Sequence, residues 1–191
     1  MSYKEKMTML SNKQWGTLAN YCRSRLASLL DPGMPFAEQG DLHASMNILH
    51  KGFYIGAIDP EGDEICRTGF LKESQNVCDS ADMVVANFHR ELKAKGVSPS
   101  KVHTSSFHFT LITDVRYISD PLAWDEEKDG VYFMWGQDYR GLYLPYQIKR
   151  MGIPKVKVLD RLCTWECGVC SNLWRLSGSM CYRISCSSYS A

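Results

Sequence analysis

Cysteine offers the most chemistry in this chain. There are eight, at positions 22, 66, 78, 163, 167, 170, 181 and 186. Three fall in Cys163-Thr164-Trp165-Glu166-Cys167-Gly168-Val169-Cys170, a Cys-x-x-x-Cys-x-x-Cys spacing that could hold a four-iron cluster with one iron left open. With Cys181 or Cys186 as a fourth ligand, the same thiols could hold zinc. Cys66 stands beside Arg67, and a neighbouring cation favours the thiolate, so Cys66 is a candidate nucleophile if His103 or His108 lies within reach as a base. The competing reading is a core cysteine followed by an outward arginine on a strand. His89 and His108 form no metal-ligand spacing with His103, no paired-histidine helical motif occurs, and the lone His43 reads as a surface residue.

Composition narrows the field. A chain of 191 residues with 45% hydrophobic and 23% charged residues can build its own core, burying about 70% of the surface it would expose unfolded. Lys plus Arg number 22 against 21 acidic residues, a net charge of +1, so no strong field steers the chain toward nucleic acid or anionic lipid. The start, Met1 to Lys6, is polar, and no run approaches the ~18 apolar residues of a membrane helix. A cytoplasmic protein with neither nucleic acid nor membrane as partner is expected. In that reducing compartment the cysteines do not read as a disulfide framework.

The elements that would position these residues follow from periodicity and punctuation. Leu10, Leu18, Cys22, Leu26, Leu29 and Leu30 share one helical face, with Ser11 and Gln14 as a capping box and Asp31-Pro32-Gly33 as the stop. His50 to Ile58 and Ile65 to Leu71 read as strands around the turn Asp59-Pro60-Glu61-Gly62-Asp63. A helix capped by Asp79 or Ser80 should run to about Lys95, with Met83, Val84, Phe88 and Leu92 inward and Gly96 ending it. Ser98-Pro99-Ser100 reads as a loop. Phe107, Phe109 and Leu111 alternate with His108, Thr110 and Ile112 as a half-buried strand. Val131 to Gly136 and Leu142 to Leu144, the latter ended by Pro145, form a hairpin. Its aromatic residues Tyr132, Phe133, Trp135, Tyr139 and Tyr143 could wall a small-molecule pocket, although core packing accounts for most of them. Val158, Leu159, Leu162, Trp165 and Val169 have helical spacing that closes at Asn172 to Trp174, and Met180 to Ser187 alternates as a closing strand. The predicted class is α+β, a mainly antiparallel sheet with helices packed on one side, in a single domain over residues 1–191.

The run from Gly130-Val131 through Gly141-Leu142-Tyr143-Leu144-Pro145-Tyr146-Gln147, then Leu159, Leu162-Cys163, Cys167-Gly168-Val169, Trp174 and Tyr182-Arg183-Ile184, resembles the C-terminal half of the AMMECR domain family. Leu10-Ser11 into Leu18-Ala19, Lys51 to Ile55 and Phe107 to Thr113 are similar to its first helix, first strand and middle strand. The resemblance implies a central antiparallel sheet with a smaller lobe, and a part in a modification pathway beside Memo-like and radical SAM proteins. It also places Cys163, Cys167 and Cys170 on a helix, where offsets of four and seven residues share a buried face. In radical SAM enzymes the three-cysteine motif precedes a long chain, whereas only 21 residues follow Cys170, so no metal is expected there. The family's Leu-Arg-Gly-Cys-Ile-Gly motif meets Glu64-Ile65-Cys66-Arg67-Thr68-Gly69 here. Arginine and cysteine stand in the opposite order, and a one-residue offset on a strand sends a side chain to the other face, while Gly69 aligns with the final glycine. The family's Asp-Pro-Arg-Phe-Pro-Pro segment is replaced by Glu91 to Pro99.

These readings converge on an AMMECR-like protein that binds a small molecule or a partner protein in a cleft between the sheet and the smaller lobe. Arg67, Gly69 and Arg140 are the expected ligand-binding residues, and no cofactor is assigned. One alternative is an enzyme using Cys66 with His108, or a metal centre on the late cysteines. Another is a non-catalytic scaffold.

Overall fold

A computed structural model describes residues 9–36 and 46–191; His43 lies outside the described residues. The chain is α+β. Its elements are α1 (Asn12–Leu30), β1 (Asn47–Ile58), β2 (Glu64–Asn76), α2 (Val77–Ala94), α3 (Pro99–Thr104), β3 (Ser106–Ile118), β4 (Asp129–Trp135), β5 (Tyr139–Tyr143), α4 (Pro145–Met151), α5 (Lys155–Arg161) and β6 (Ser179–Ser190). Hydrogen bonding runs in the order β2-β1-β3-β6-β4-β5. Two compact units divide the chain, Met1–Thr113 with Ser187–Ala191, and Asp114–Cys186. Among the described residues no helix is long and apolar enough to cross a membrane.

In the first unit, β1 pairs antiparallel with both β2 and β3. Alternation sends Phe53, Ile55 and Ala57 of β1 with Phe107, Phe109 and Leu111 of β3 to one face, where they join a core with Leu18, Cys22 and Leu26 of α1 and Val84, Phe88 and Leu92 of α2. Ser11 caps α1 through the full capping box with Gln14, which satisfies otherwise orphaned backbone donors. The second helix begins earlier than Asp79: β2 runs unbroken to Asn76, whose side chain accepts from the amides of Cys78 and Asp79 and is itself the cap. Met83 is 47% exposed, not inward, because Ala81, Val84 and Val85 already fill that stripe of the helix. The stretch expected as a loop at Ser98 to Ser100 opens α3, with Ser98 as cap and Pro99 at the first helical position, where its missing N–H costs nothing. The β1–β2 turn is clamped by Asp59, whose carboxylate accepts from the Asp63 amide at 2.7 Å and from Lys101 Nζ at 2.8 Å.

In the second unit, β4 and β5 form the expected hairpin, with Val131 opposite Tyr143 and Trp135 opposite Tyr139. Pro145 does more than end a strand. It opens α4, and the Gln147 side chain accepts from the Leu144 amide at 3.0 Å. The helix expected through Trp174 stops short. After α5 the chain enters a π-helical turn, Leu162–Glu166, closed by an i→i+5 bond from the Cys167 amide to the Leu162 carbonyl at 3.1 Å, and it turns away at Gly168 with φ +69°. A π turn inserts one residue, so spacing extrapolated at 3.6 residues per turn loses phase. Trp165, expected inward, is 71% exposed and lies under the Arg161 guanidinium, 4.9 Å from the ring centroid.

Candidate functional site

The register of the first unit sorts the candidate residues by face. Ala57 of β1 stands opposite Cys66 of β2 and Phe107 of β3, so Cys66 belongs to the helix-covered core, with 1% of its surface exposed. Burial pushes its thiol up to about 11, outweighing the opposing pull of Lys95. The thiol is therefore protonated at neutral pH, the opposite of an activated nucleophile. Gly56, one residue back, stands opposite Arg67 and His108. Since cross-strand partners share a face, Arg67 and His108 flank Gly56 on the side away from Cys66. Two strand spacings set their Cα atoms about 10 Å apart. His108 cannot serve Cys66 as a base, because the sheet lies between them.

The same face continues along the strands. Tyr54 stands opposite Gly69 and Thr110. Its ring lies on Gly69 so closely that a Cβ there would sit 2.3 Å from ring carbons and 2.4 Å from the Phe53 carbonyl oxygen. Gly69 thus seats an aromatic side chain. From β6, Ser190 Oγ lies 2.9 Å from His108 Nδ1 and Ser188 Oγ lies 3.3 Å from Thr110 Oγ1. The face carries a guanidinium, an imidazole, a phenol and three hydroxyls, all hydrogen-bonding groups suited to an oxyanion or a polar small molecule. Sequence reasoning found Arg67, Gly69 and His108 but missed Tyr54, Thr110, Ser188 and Ser190. The readable signal was Gly52-x-Tyr54-x-Gly56 at strand period, together with the serines near the C-terminus.

His50, also missed, is fully buried. Its Nδ1 lies 2.8 Å from the Ile48 carbonyl oxygen and its Nε2 2.8 Å from Ser80 Oγ. A carbonyl can only accept, so Nδ1 carries the proton and Nε2 accepts from the hydroxyl. Burial holds this imidazole below its ordinary value, and hence neutral.

The second unit presents a different set. Tyr132 of β4 stands opposite Tyr182 of β6, and Met134 opposite Met180 and Arg140. Tyr182 packs between Tyr132 and Tyr117, each with ring centroids 5.8 Å away. Burial raises the Tyr132 phenol, with Arg140 pulling the other way, and Arg140 also donates to the Gln137 carbonyl at 3.4 Å. Of the other hairpin aromatics, Phe133 and Tyr143 are core, while Trp135 and Tyr139 pack on each other at 5.6 Å and are exposed.

The late thiols do not share one face. Cys163 is buried in the π turn, Cys167 is half-buried at its end and Cys170 is exposed beyond it. Burial raises Cys163 to about 11, and Cys167 and Cys181 to about 12. Among the described residues no group of three His, Cys, Asp or Glu side chains is arranged to hold a metal ion.

No family model matches the chain, and no curated protein matches it. Among solved structures, it is similar to the crystal structure of the uncharacterized protein PH0010 from Pyrococcus horikoshii, with a TM-score of 0.77. That likeness covers 95% of this chain and 93% of the other at 14% identity, and it is a likeness of fold.

Proposed function

We propose that this chain is a binding protein whose first unit takes a small anionic molecule, phosphate-bearing in the first instance, on the sheet face opposite α1 and α2. The supporting observation is the cross-strand row in which Arg67 and His108 flank a glycine. A guanidinium offers a planar fork of donors that matches an oxyanion, and an imidazole adds a further donor. Tyr54, Ser188 and Ser190 supply hydroxyls for the rest of such a molecule. Arg140 lies in the second unit, opposite Met134, where its charge acts on the Tyr132 phenol. The collinear resemblance to AMMECR domains supports a cytoplasmic role in a modification pathway alongside Memo-like and radical SAM proteins.

The test is titration with inorganic phosphate while following the His108 imidazole by NMR. A saturable shift is expected, and Arg67→Gln should weaken it on the order of tenfold, the worth of one charge-assisted hydrogen-bonding group. A His108 signal indifferent to phosphate, or a response unchanged in Arg67→Gln, contradicts the proposal.

A further inference from the structure

A concave site lies in the first unit, away from the face just described. It is a groove of about 240 Å³ lined by Arg23, Leu26 and Leu30 of α1, Val102 and His103 of α3, and Phe107 at the start of β3. Its walls are fixed. Leu26, Val102 and Phe107 are all nearly fully buried. The Phe107 ring stacks on Phe109 with centroids 6.2 Å apart, and its backbone exchanges both hydrogen bonds with Ala191, at 2.8 and 3.0 Å. Its rim is cationic. The Arg23 guanidinium lies over the Phe107 ring, 5.6 Å from the centroid, and among the described residues no carboxylate lies within ion-pairing distance of it. Arg23 and His103 are both exposed.

We infer that this groove binds a small monocarboxylate with an apolar tail. The guanidinium fork takes the carboxylate in two parallel hydrogen bonds. Leu26, Leu30, Val102 and Phe107 take the tail, and His103 donates a hydrogen bond from the rim. The volume lies below the ~300 Å³ at which drug-sized sites begin, which limits the tail to a short aliphatic chain or a single ring. An apolar floor with one fork-shaped cation suits a monoanion better than a phosphate dianion, which calls for more donors than this rim carries.

The probes are hexanoate and its uncharged counterpart hexan-1-ol, titrated into the full chain while the methyl resonances of Leu26, Leu30 and Val102 are followed by NMR. Hexanoate should shift these methyls saturably and bind at least about tenfold more tightly than hexan-1-ol, the factor expected for one charge-assisted pair. Arg23→Gln, on an exposed helix position, should remove that preference and leave hexan-1-ol binding unchanged. Arg67→Gln should leave hexanoate binding unchanged, so failure here and failure of the phosphate site are told apart. Methyls that do not respond, equal affinity for the two probes, an unaltered preference in Arg23→Gln, or loss of hexanoate binding in Arg67→Gln would each overturn the inference.

Discussion

The two units build their sheets alike and then spend the second face differently. In each, one face is apolar: Phe53, Phe107 and Phe109 in the first, Val131, Phe133 and Tyr143 in the second. On the other face the first unit sets Arg67, His108, Tyr54 and Thr110 among glycines, and the second sets Tyr132, Tyr182, Met134 and Met180. The cysteines follow the first rule, not the second. Cys66 and Cys181 both point to the apolar side of their strands and join the cores there. Reactive-looking sequence at Cys66-Arg67 therefore splits across the sheet, with the thiol packed in the core and the cation on the opposite face.

The comparison can be sharpened in descending order of effect. Thiol labelling at pH 7 separates the cysteines most. With Cys66 at about 11 instead of its ordinary 9.0, its thiolate fraction falls about 100-fold before burial is counted. Exposed Cys170 should label first and Cys66 only on unfolding, so fast native labelling of Cys66 would break the core assignment. Phe88→Ala in the first unit and Phe133→Ala in the second should each cost about 3–5 kcal/mol in urea denaturation, because both rings are fully buried. A loss under about 1 kcal/mol for either would mean that its core is not packed as described.

The glycines offer a finer contrast. An alanine Cβ at Gly69 would meet the Phe53 carbonyl oxygen at 2.4 Å as well as the Tyr54 ring, whereas at Gly141 it would meet side-chain atoms alone, Glu166 Cβ at 2.7 Å and Cys167 Sγ at 2.9 Å. Overpacking of this kind costs about 1–3 kcal/mol. Gly69→Ala should fall at the upper end, since backbone yields less than side chains, and the reverse ranking would contradict the geometry. The smallest effect is that of His50. Its folded-state value lies below the ordinary 6.5, so the unfolded chain binds the proton more readily than the folded one. This contribution is complete above pH 6.5 and is lost as pH falls below it. His50→Gln should flatten that part of the stability profile, and an unchanged acid slope would count against a neutral buried imidazole.

The sequence was readable wherever one physical signal acted alone. Ser11 with Gln14 announced α1, the Asp59 to Asp63 turn set the β1–β2 hairpin, and alternation from Phe107 onward gave the strand that carries His108. It misled where two signals competed. Asn76 outbid Asp79 as a cap because the strand before it did not break, and Pro99 marked a helix start that reads equally as a loop. At Trp165 a single extra residue in the π turn rotated the face by about 100°, which no count of apolar spacing at 3.6 can reveal. Tyr54 and Ser190 became visible only with register, because their partnership with Gly69 and His108 crosses strands far apart in the chain.

The division of labour between Cys66 and Arg67 is tested most directly by making Cys66→Ala and Arg67→Gln side by side and reading both the phosphate-dependent His108 shift and the urea midpoint. Cys66→Ala should keep the shift and lower stability by about 1 kcal/mol, as loss of a buried side chain does. Arg67→Gln should keep stability and weaken the shift about tenfold. The opposite pattern, with the cysteine needed for the response and the arginine for the fold, would contradict the account.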